Sequence, residues 1–184
     1  MILEKAASLG ISLVGIEPAV TLTYRDEYVH ALGTSDLPFK VQLLQEWLFA
    51  KLDHIQESLA NTRGAQAATG HYTLFCHCTE RTTVAASQKM WQQVFSAFGL
   101  NLAIAEIGCC GMCGIFGHEK THCDESRGIY ELSWKPRLAL AEKRHEKIVV
   151  TGFSCRHQIK RIDHAYAHHP VFALLEACGS SIAE

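Results

Sequence analysis

The sequence lacks the features that mark nucleic-acid-binding, membrane-spanning and secreted proteins. Its formal net charge is only −2, so neither sign of charge favours nucleic acid or an anionic membrane as a partner. No apolar run reaches the roughly 20 residues of a membrane-spanning helix. The N-terminal segment carries Glu4 and Lys5 and lacks a small-residue cleavage pattern, so we expect no signal peptide.

Cysteine is abundant in this otherwise ordinary composition. The eight cysteines are Cys76, Cys78, Cys109, Cys110, Cys113, Cys123, Cys155 and Cys178. Without a secretion signal, metal binding or redox chemistry explains them better than a disulfide scaffold does. The paired C-x-x-C motifs of a zinc finger do not occur, although Cys110 and Cys113 form a single C-x-x-C.

Four apolar runs predict the strands of an α/β fold. They are "ISLVGIE" (11–17), "HYTLFC" (71–76), "LNLAIAEI" (100–107) and "KIVVTGF" (147–153). Each is nearly continuous, as in strands buried on both faces, and helical patterns lie between them. We therefore expect a mostly parallel sheet of about four strands with helices on both faces.

Apolar spacing predicts the helices. One pattern covers 37–59 and a second covers 82–99. Asp124 is a candidate cap for a third helix, which we expect Pro136 to end or kink. A last helix is expected to begin near Pro170, a residue suited to the first turn.

The cysteines fall where the predicted strands end. Cys76 and Cys78 end the second run, Cys109 and Cys110 follow the third, and Cys155 follows the fourth. The carboxyl ends of parallel strands meet at one edge of a sheet, where ligand crevices form. The sequence therefore predicts one site to which three strand ends deliver thiols.

Such a site suits a soft metal centre. Thiolates select zinc or iron–sulfur clusters. The adjacent Cys109 and Cys110 diverge on an extended backbone, so they fit a cluster of several metal atoms better than one ion. Two alternatives stay open at this point: a zinc-binding structural or docking module, and a thiol-redox protein that uses Cys110 and Cys113.

Three further residues are candidates for the same site. Cys76 lies two residues from Cys78, so in a strand it would face the same side, either lining the site or packing. Cys113 is either a ligand, a redox partner or incidental. His118 could ligate a metal, although a structural histidine bonded to nearby backbone is the more common case.

The cysteine motifs resemble a known family. "FCHCTE", "GCCGMCGIFGHE", "TGFSCRHQIKR" and "HHPVFALL" together resemble the cysteine-rich CCG domain of heterodisulfide reductase and related iron–sulfur oxidoreductases. "LVGIEPAVTLTYRDEY" and "RGIYELSW" resemble the C-terminal part of long bacterial FAD-linked D-2-hydroxy-acid dehydrogenases of the D-2-hydroxyglutarate type. The resemblance extends over nearly the whole chain.

The resemblance implies an electron-transfer domain with an iron–sulfur cluster, of the 4Fe-4S type. The positions that match the family's ligands are Cys78, Cys109, Cys110 and Cys155. In that family a flavin, FAD, takes a hydride from the hydroxy acid in another domain, and electrons pass on to a quinone or a protein. The resemblance thus implies an FAD-binding partner region and a chain that is not catalytically complete alone. It also implies a cytoplasmic location, either free or peripheral to the inner membrane.

The chain departs from the family at two places. Gln158 stands where heterodisulfide reductase has the second cysteine of a C-x-x-C, so Cys113 is a candidate replacement ligand. Val20 stands where relatives often have cysteine, and it cannot ligate a metal. We interpret residues 1–184 as a single CCG-type α/β domain. Within it, residues 1–65 are the end of a preceding module plus a helical segment, and residues 66–184 are the cysteine-bearing module. On this interpretation the chain is either a fragment or a stand-alone C-terminal portion.

Overall fold

Helices and strands alternate along the chain in the computed structural model, which describes residues 2–63 and 70–179. The strands are Leu13–Gly15 (β1), Val41–Leu43 (β2), His71–Phe75 (β3), Asn101–Ile104 (β4) and Lys147–Val150 (β5). The helices are Ile2–Ser8 (α1), Pro18–Thr23 (α2), Glu27–Leu32 (α3), Leu44–Phe49 (α4), Leu52–Arg63 (α5), Cys78–Thr83 (α6), Ser87–Ala97 (α7), Cys123–Lys143 (α8), Phe153–Asp163 (α9) and Pro170–Ala177 (α10). Among these helices none has both the length and the apolar composition needed to cross a bilayer.

The described strands form two parallel sheets. The first pairs β1 with β2, and the second has the order β4-β3-β5. The α/β class and the parallel topology are thus confirmed, but the single sheet of about four strands is wrong. The first predicted strand pairs with β2, which lies inside a segment whose apolar spacing predicted a helix. Val41 and Leu43 are buried and Gln42 between them is half-buried, so burial alternates with the two-residue period of a strand. The strand is too short for this period to stand out beside the helix that follows it.

The three-stranded sheet carries helices on both faces, as expected. Tyr72 and Leu74 of β3 pack in one core cluster with Trp91 of α7, and α10 adds to the same cluster. Phe75 points to the opposite face and packs with Trp134 of α8 in a second cluster, which α9 completes. The alternation of side chains along β3 therefore separates two hydrophobic cores.

Helix α8 continues through Pro136 to Lys143, contrary to the prediction that the proline would end or kink it. Pro136 is exposed, so water can bond the backbone carbonyl that loses its partner in the preceding turn. Asp124 lies in the first turn of α8 and does not cap it, since His122 holds the cap position. Burial of Tyr130, Trp134 and other residues on one face outweighs the local effect of proline.

The prediction that the last helix begins at Pro170 is confirmed, and the residue before it is a buried histidine. The Nδ1 atom of His169 accepts a hydrogen bond from the backbone N–H of Val171 at 3.2 Å, and the ring is 4% exposed. Burial, together with the nearby Arg156, lowers the pKa of His169 from 6.5 to about 3. The folded protein therefore holds His169 neutral at neutral and mildly acidic pH.

We predict that His169→Asn weakens the acid sensitivity of the fold. Between pH 6.5 and 3 the unfolded chain binds a proton at His169 and the folded chain does not, so the free energy of unfolding decreases as the pH falls. The decrease amounts to at most about 1.4 kcal/mol per pH unit. Asparagine keeps a capping oxygen but does not titrate. Urea unfolding at pH 7.5, 6.5 and 5.5 should show a shallower pH dependence for the variant, and parallel dependences would contradict the assignment.

Candidate metal centre

Four chain segments meet at one open cavity of about 330 Å³. The segment after β3 contributes His77 and Cys78, and the loop after β4 contributes Cys109, Cys110 and Cys113. The start of α9 and the turn between β1 and α2 close the other sides. We call this space the thiol cavity, and residues 105–115, which run from β4 past the three cysteines, the thiol loop.

Four thiols lie next to one another at this site. Cys78 interacts with Cys109, Cys109 with Cys110, and Cys110 with Cys155, which is buried in the first turn of α9. We call these four cysteines the thiol row. The structure thus brings together four of the five thiols that the strand ends predicted to converge, and Cys76 lies elsewhere. Within residues 2–63 and 70–179, no three His, Cys, Asp or Glu side chains are arranged to hold one metal ion.

Contacts within the row, together with burial, raise the pKa values of Cys78, Cys109 and Cys110. The hydrogen bond to Cys109, together with burial, raises the pKa of Cys78, and the bond to Cys110 raises that of Cys109. The bond from Cys109 lowers the pKa of Cys110, but the bond to Cys155 and burial outweigh it and raise that pKa to about 12. A metal centre that binds here must therefore displace protons from the sulfur atoms.

Backbone contacts hold the thiol loop against α8. The N–H of Gly108 donates to Ser133 Oγ at 2.9 Å, and Trp134 Nε1 donates to the carbonyl of Gly108 at 3.1 Å. Gly111 adopts φ +85°, and its N–H donates to Cys109 Sγ at 3.3 Å. The backbone can therefore turn directly after the cysteine pair, which leaves both thiols in the same row.

Glycine also makes room beside Cys155. A Cβ atom at Gly152 would lie 3.0 Å from Cys155 Sγ and 2.4 Å from the His77 ring. His77 is 6% exposed, and its Nδ1 atom has no hydrogen-bond partner among the described residues. In a strand that continued past Phe75, His77 would point away from its neighbouring cysteines. It lines the thiol cavity beside Cys78 instead, because the chain leaves the strand after Phe75 and begins α6 at Cys78.

The remaining sequence candidates lie in three different places. Cys113 is exposed on the cavity wall, at φ +39°, outside the thiol row. Cys76 is fully buried with Trp91 in the first core cluster, where burial and then Glu80 raise its pKa. His118 is exposed, with its ring centroid 5.2 Å from that of His157. Of these three, only Cys113 lines the thiol cavity.

The geometry does not favour the dithiol interpretation of Cys110 and Cys113. Disulfide exchange needs a thiol of low pKa, whereas the pKa of Cys110 is raised. Cys110 is buried and bonded to Cys109 and Cys155, whereas Cys113 is exposed. The two halves of the C-x-x-C therefore have different surroundings.

The turn after β1 is a part of the cavity that sequence reasoning missed. The carboxylate of Glu17 accepts a hydrogen bond from the backbone N–H of Phe153 at 2.7 Å, which links this turn to the first residue of α9. Ala19 and Val20 line the cavity beside it. Val20 therefore borders the site although it cannot ligate a metal. No local pattern could have revealed a bond between residues 136 positions apart.

Comparison with known proteins finds relatives of the chain that are dehydrogenases. A D-2-hydroxyglutarate dehydrogenase of Haemophilus influenzae is 45% identical over 95% of this chain, and one of Escherichia coli is 40% identical over 95%. The chain is homologous to a segment of D-2-hydroxyglutarate dehydrogenases. It spans only 17% and 16% of the length of these two relatives.

A more distant relative belongs to another dehydrogenase. One subunit of the anaerobic glycerol-3-phosphate dehydrogenase of Escherichia coli is 24% identical over 95% of the chain, which spans 42% of that protein. No family model matches the chain. No solved structure matches it either. The resemblance inferred from the cysteine motifs is thus confirmed by relatives from both dehydrogenase groups.

We predict that Gly111→Ala destabilises the protein strongly. The left-handed backbone at Gly111 costs a residue with a Cβ atom about 1–2 kcal/mol, and the new Cβ would lie 2.2 Å from the carbonyl oxygen of Ser126. Overpacking of this kind adds about 1–3 kcal/mol. Urea unfolding of the metal-free protein measures the loss.

Gly114→Ala is the matched control for this prediction. Gly114 also has a positive φ, +62°, but an added Cβ would meet no atom within 4 Å. In the control variant, the free energy of unfolding should decrease only by the cost of placing a residue with a Cβ atom in the left-handed backbone conformation. Equal losses in the two variants would show that the contact with Ser126 is not tight.

Proposed function

We propose that the chain is an iron–sulfur electron-transfer domain of an FAD-linked oxidoreductase that oxidises a D-2-hydroxy acid. The observation that carries the proposal is the thiol row, in which four cysteines from three strand ends are neighbours and three of them, Cys78, Cys109 and Cys110, line one cavity. Homology to D-2-hydroxyglutarate dehydrogenases supports the reaction class and points to D-2-hydroxyglutarate as the hydroxy acid.

The residues of the cavity fit an iron–sulfur cluster. Cys78, Cys109, Cys110 and Cys155 would hold it, and Cys113 on the cavity wall is a further candidate ligand. Thiolates are the ligands that such clusters require, and a row of sulfur atoms suits a group with several metal atoms. A bound cluster of the 4Fe-4S type would supply a one-electron redox centre.

Once a metal centre has displaced the thiol protons, groups of the chain itself would help to stabilise the thiolates. The N–H of Gly111 donates to Cys109 Sγ, and hydrogen bonds to ligand sulfur stabilise its negative charge and tune the reduction potential. Cys155 lies in the first turn of α9, where the helix dipole favours an anion. The surrounding apolar core, with Phe75 and Trp134, limits the access of water to the buried Cys110 and Cys155.

The rest of the reaction belongs to regions outside this chain. Since the chain spans about a sixth of the dehydrogenases it matches, we assign the flavin and the hydroxy acid to an FAD-binding partner region. Electrons would leave through the thiol cavity for a quinone or a protein acceptor. The same proposal includes two further points. The chain is divided into a preceding module (1–65) and a cysteine-bearing module (66–184), and the protein is located in the cytoplasm or at the periphery of the inner membrane.

We predict that the protein purified without oxygen contains iron and acid-labile sulfide. Cys109→Ser should lose most of both, because Cys109 lies inside the row and bonds to a thiol on either side. Cys178→Ser is the matched control, since Cys178 is exposed at the end of α10. Metal analysis, sulfide assay and the visible absorption spectrum are the measurements.

Two outcomes of this experiment would reject the proposal. Stoichiometric zinc without sulfide would favour the zinc-binding docking module, whose fold should then depend on the metal. A protein that takes up no iron during anaerobic reconstitution, with Cys109→Ser indistinguishable from wild type, would reject a metal centre altogether.

A further inference from the structure

Gln158 is a buried polar residue to which the proposed function gives no role. It lies on α9 one turn after Cys155 and is 0% exposed. Its side chain is turned toward α8, where Nε2 donates to Ser126 Oγ at 2.9 Å. Its Oε1 atom has no hydrogen-bond partner among the described residues. A buried amide group that is hydrogen-bonded through its nitrogen but not through its oxygen requires an explanation.

Ser126 is the point at which three elements meet. Its Oγ atom accepts a second hydrogen bond, from Arg161 Nη2 at 3.2 Å, and the residue is 0% exposed. The other terminal nitrogen of Arg161 donates to the carbonyl of Gly117, directly after the thiol loop. Ser126, Gln158 and Arg161, which we call the Ser126 network, therefore connect α8, α9 and the end of the thiol loop.

The thiol loop approaches α8 most closely at this same serine. A Cβ atom at Gly111 would lie 2.2 Å from the carbonyl oxygen of Ser126, and one at Gly117 would lie 2.7 Å from its Oγ. Between these glycines Met112 is 1% exposed, and its carbonyl accepts a hydrogen bond from Gly117 N–H at 2.9 Å. The segment from Gly111 to Gly117 is thus pressed against Ser126 at two points.

We propose that Ser126 is a positioning residue for Cys109 and Cys110, and that Gln158 and Arg161 hold it in place. Gly111 follows the cysteine pair directly and donates to Cys109 Sγ, so a displacement of the loop at Ser126 moves the thiols. The contact of α8 with the loop therefore sets where two members of the thiol row lie. The inference rests on the proposed function only for the statement that these two thiols hold a cluster.

Removing either partner of the hydrogen bond between Gln158 and Ser126 should loosen the thiol loop. Ser126→Ala takes away the acceptor of two donors, the buried Gln158 and the half-buried Arg161. Gln158→Leu removes one donor at similar volume and keeps the bond between Ser126 and Arg161. Thr73→Val is the matched control. Thr73 is 7% exposed, and its hydroxyl donates to Glu146 in a part of the sheet remote from the cavity.

The first measurement is the alkylation rate of each cysteine in the metal-free 184-residue chain. Iodoacetamide is the probe, mass spectrometry reads each thiol, and urea unfolding gives the stability of every variant. Loss of one hydrogen bond should increase the alkylation rate of Cys109 and Cys110 by roughly five-fold in Gln158→Leu, and loss of both hydrogen bonds should increase it further in Ser126→Ala. Cys178 should react at the wild-type rate, and Thr73→Val should keep wild-type rates at all thiols in spite of its lower stability.

The result that would overturn the proposal is equally specific. Wild-type rates at Cys109 and Cys110 in the milder, folded Gln158→Leu variant, or a uniform rise at all thiols that Thr73→Val shares, would assign the network a merely structural role. The alkylation experiment needs no metal. It therefore tests whether Ser126 positions the two cysteines even if wild-type protein takes up no iron and the proposed function fails.

A second measurement examines the site with the iron–sulfur cluster bound. After anaerobic reconstitution, Gln158→Leu should keep wild-type iron content but show altered g-values in the electron paramagnetic resonance spectrum of the reduced protein, because two ligands have moved. Thr73→Val should give the wild-type spectrum. An unchanged spectrum in Gln158→Leu would show that the cluster environment does not depend on the Ser126 network.

Discussion

Parallel pairing of β3 with β4 on one side and β5 on the other is the constraint on which the thiol site depends. Leu74 lies opposite Ile104, and Phe75 lies opposite Val150, so the three strands end almost level. Because parallel strands leave a sheet at the same edge, the segments that follow them run side by side. Cysteines far apart in sequence can then share one cavity without a disulfide or a long loop.

Helix α8 shapes the site although it contributes no thiol to it. A loop that enters the interior must satisfy its backbone N–H and C=O groups, and α8 supplies Ser133 and Trp134 on one side of the cysteine pair. Ser126 lies against the other side. The two serines are seven residues apart and therefore share a face of the helix. The shape of the thiol loop thus follows from a helix surface that passes beneath it.

Sequence patterns were reliable where one period dominated a segment and failed where two overlapped. Apolar runs correctly placed β3, β4 and β5, because strands buried on both faces leave a continuous signal. Val41 and Leu43 were hidden within a helical pattern that covers 37–59, because helix α4 begins one residue after Leu43. Pro136 did not end α8, since water can replace the missing hydrogen bond at its exposed position. Alternation failed for Cys76 and His77 because it assumes a strand that continues beyond Phe75.

The sequence by itself determined the α/β class and the strand ends that carry thiols, since both follow from local composition and periodicity. The relationship to D-2-hydroxyglutarate dehydrogenases came from the resemblance of its motifs to a known family. Only the tertiary structure decided which thiols touch. It placed Cys155 against Cys110, buried Cys76 on the opposite core, and turned Gln158 toward Ser126. Side-chain direction after a strand end depends on how the backbone turns and which helix packs beside it, and neither is encoded within the few residues of a motif.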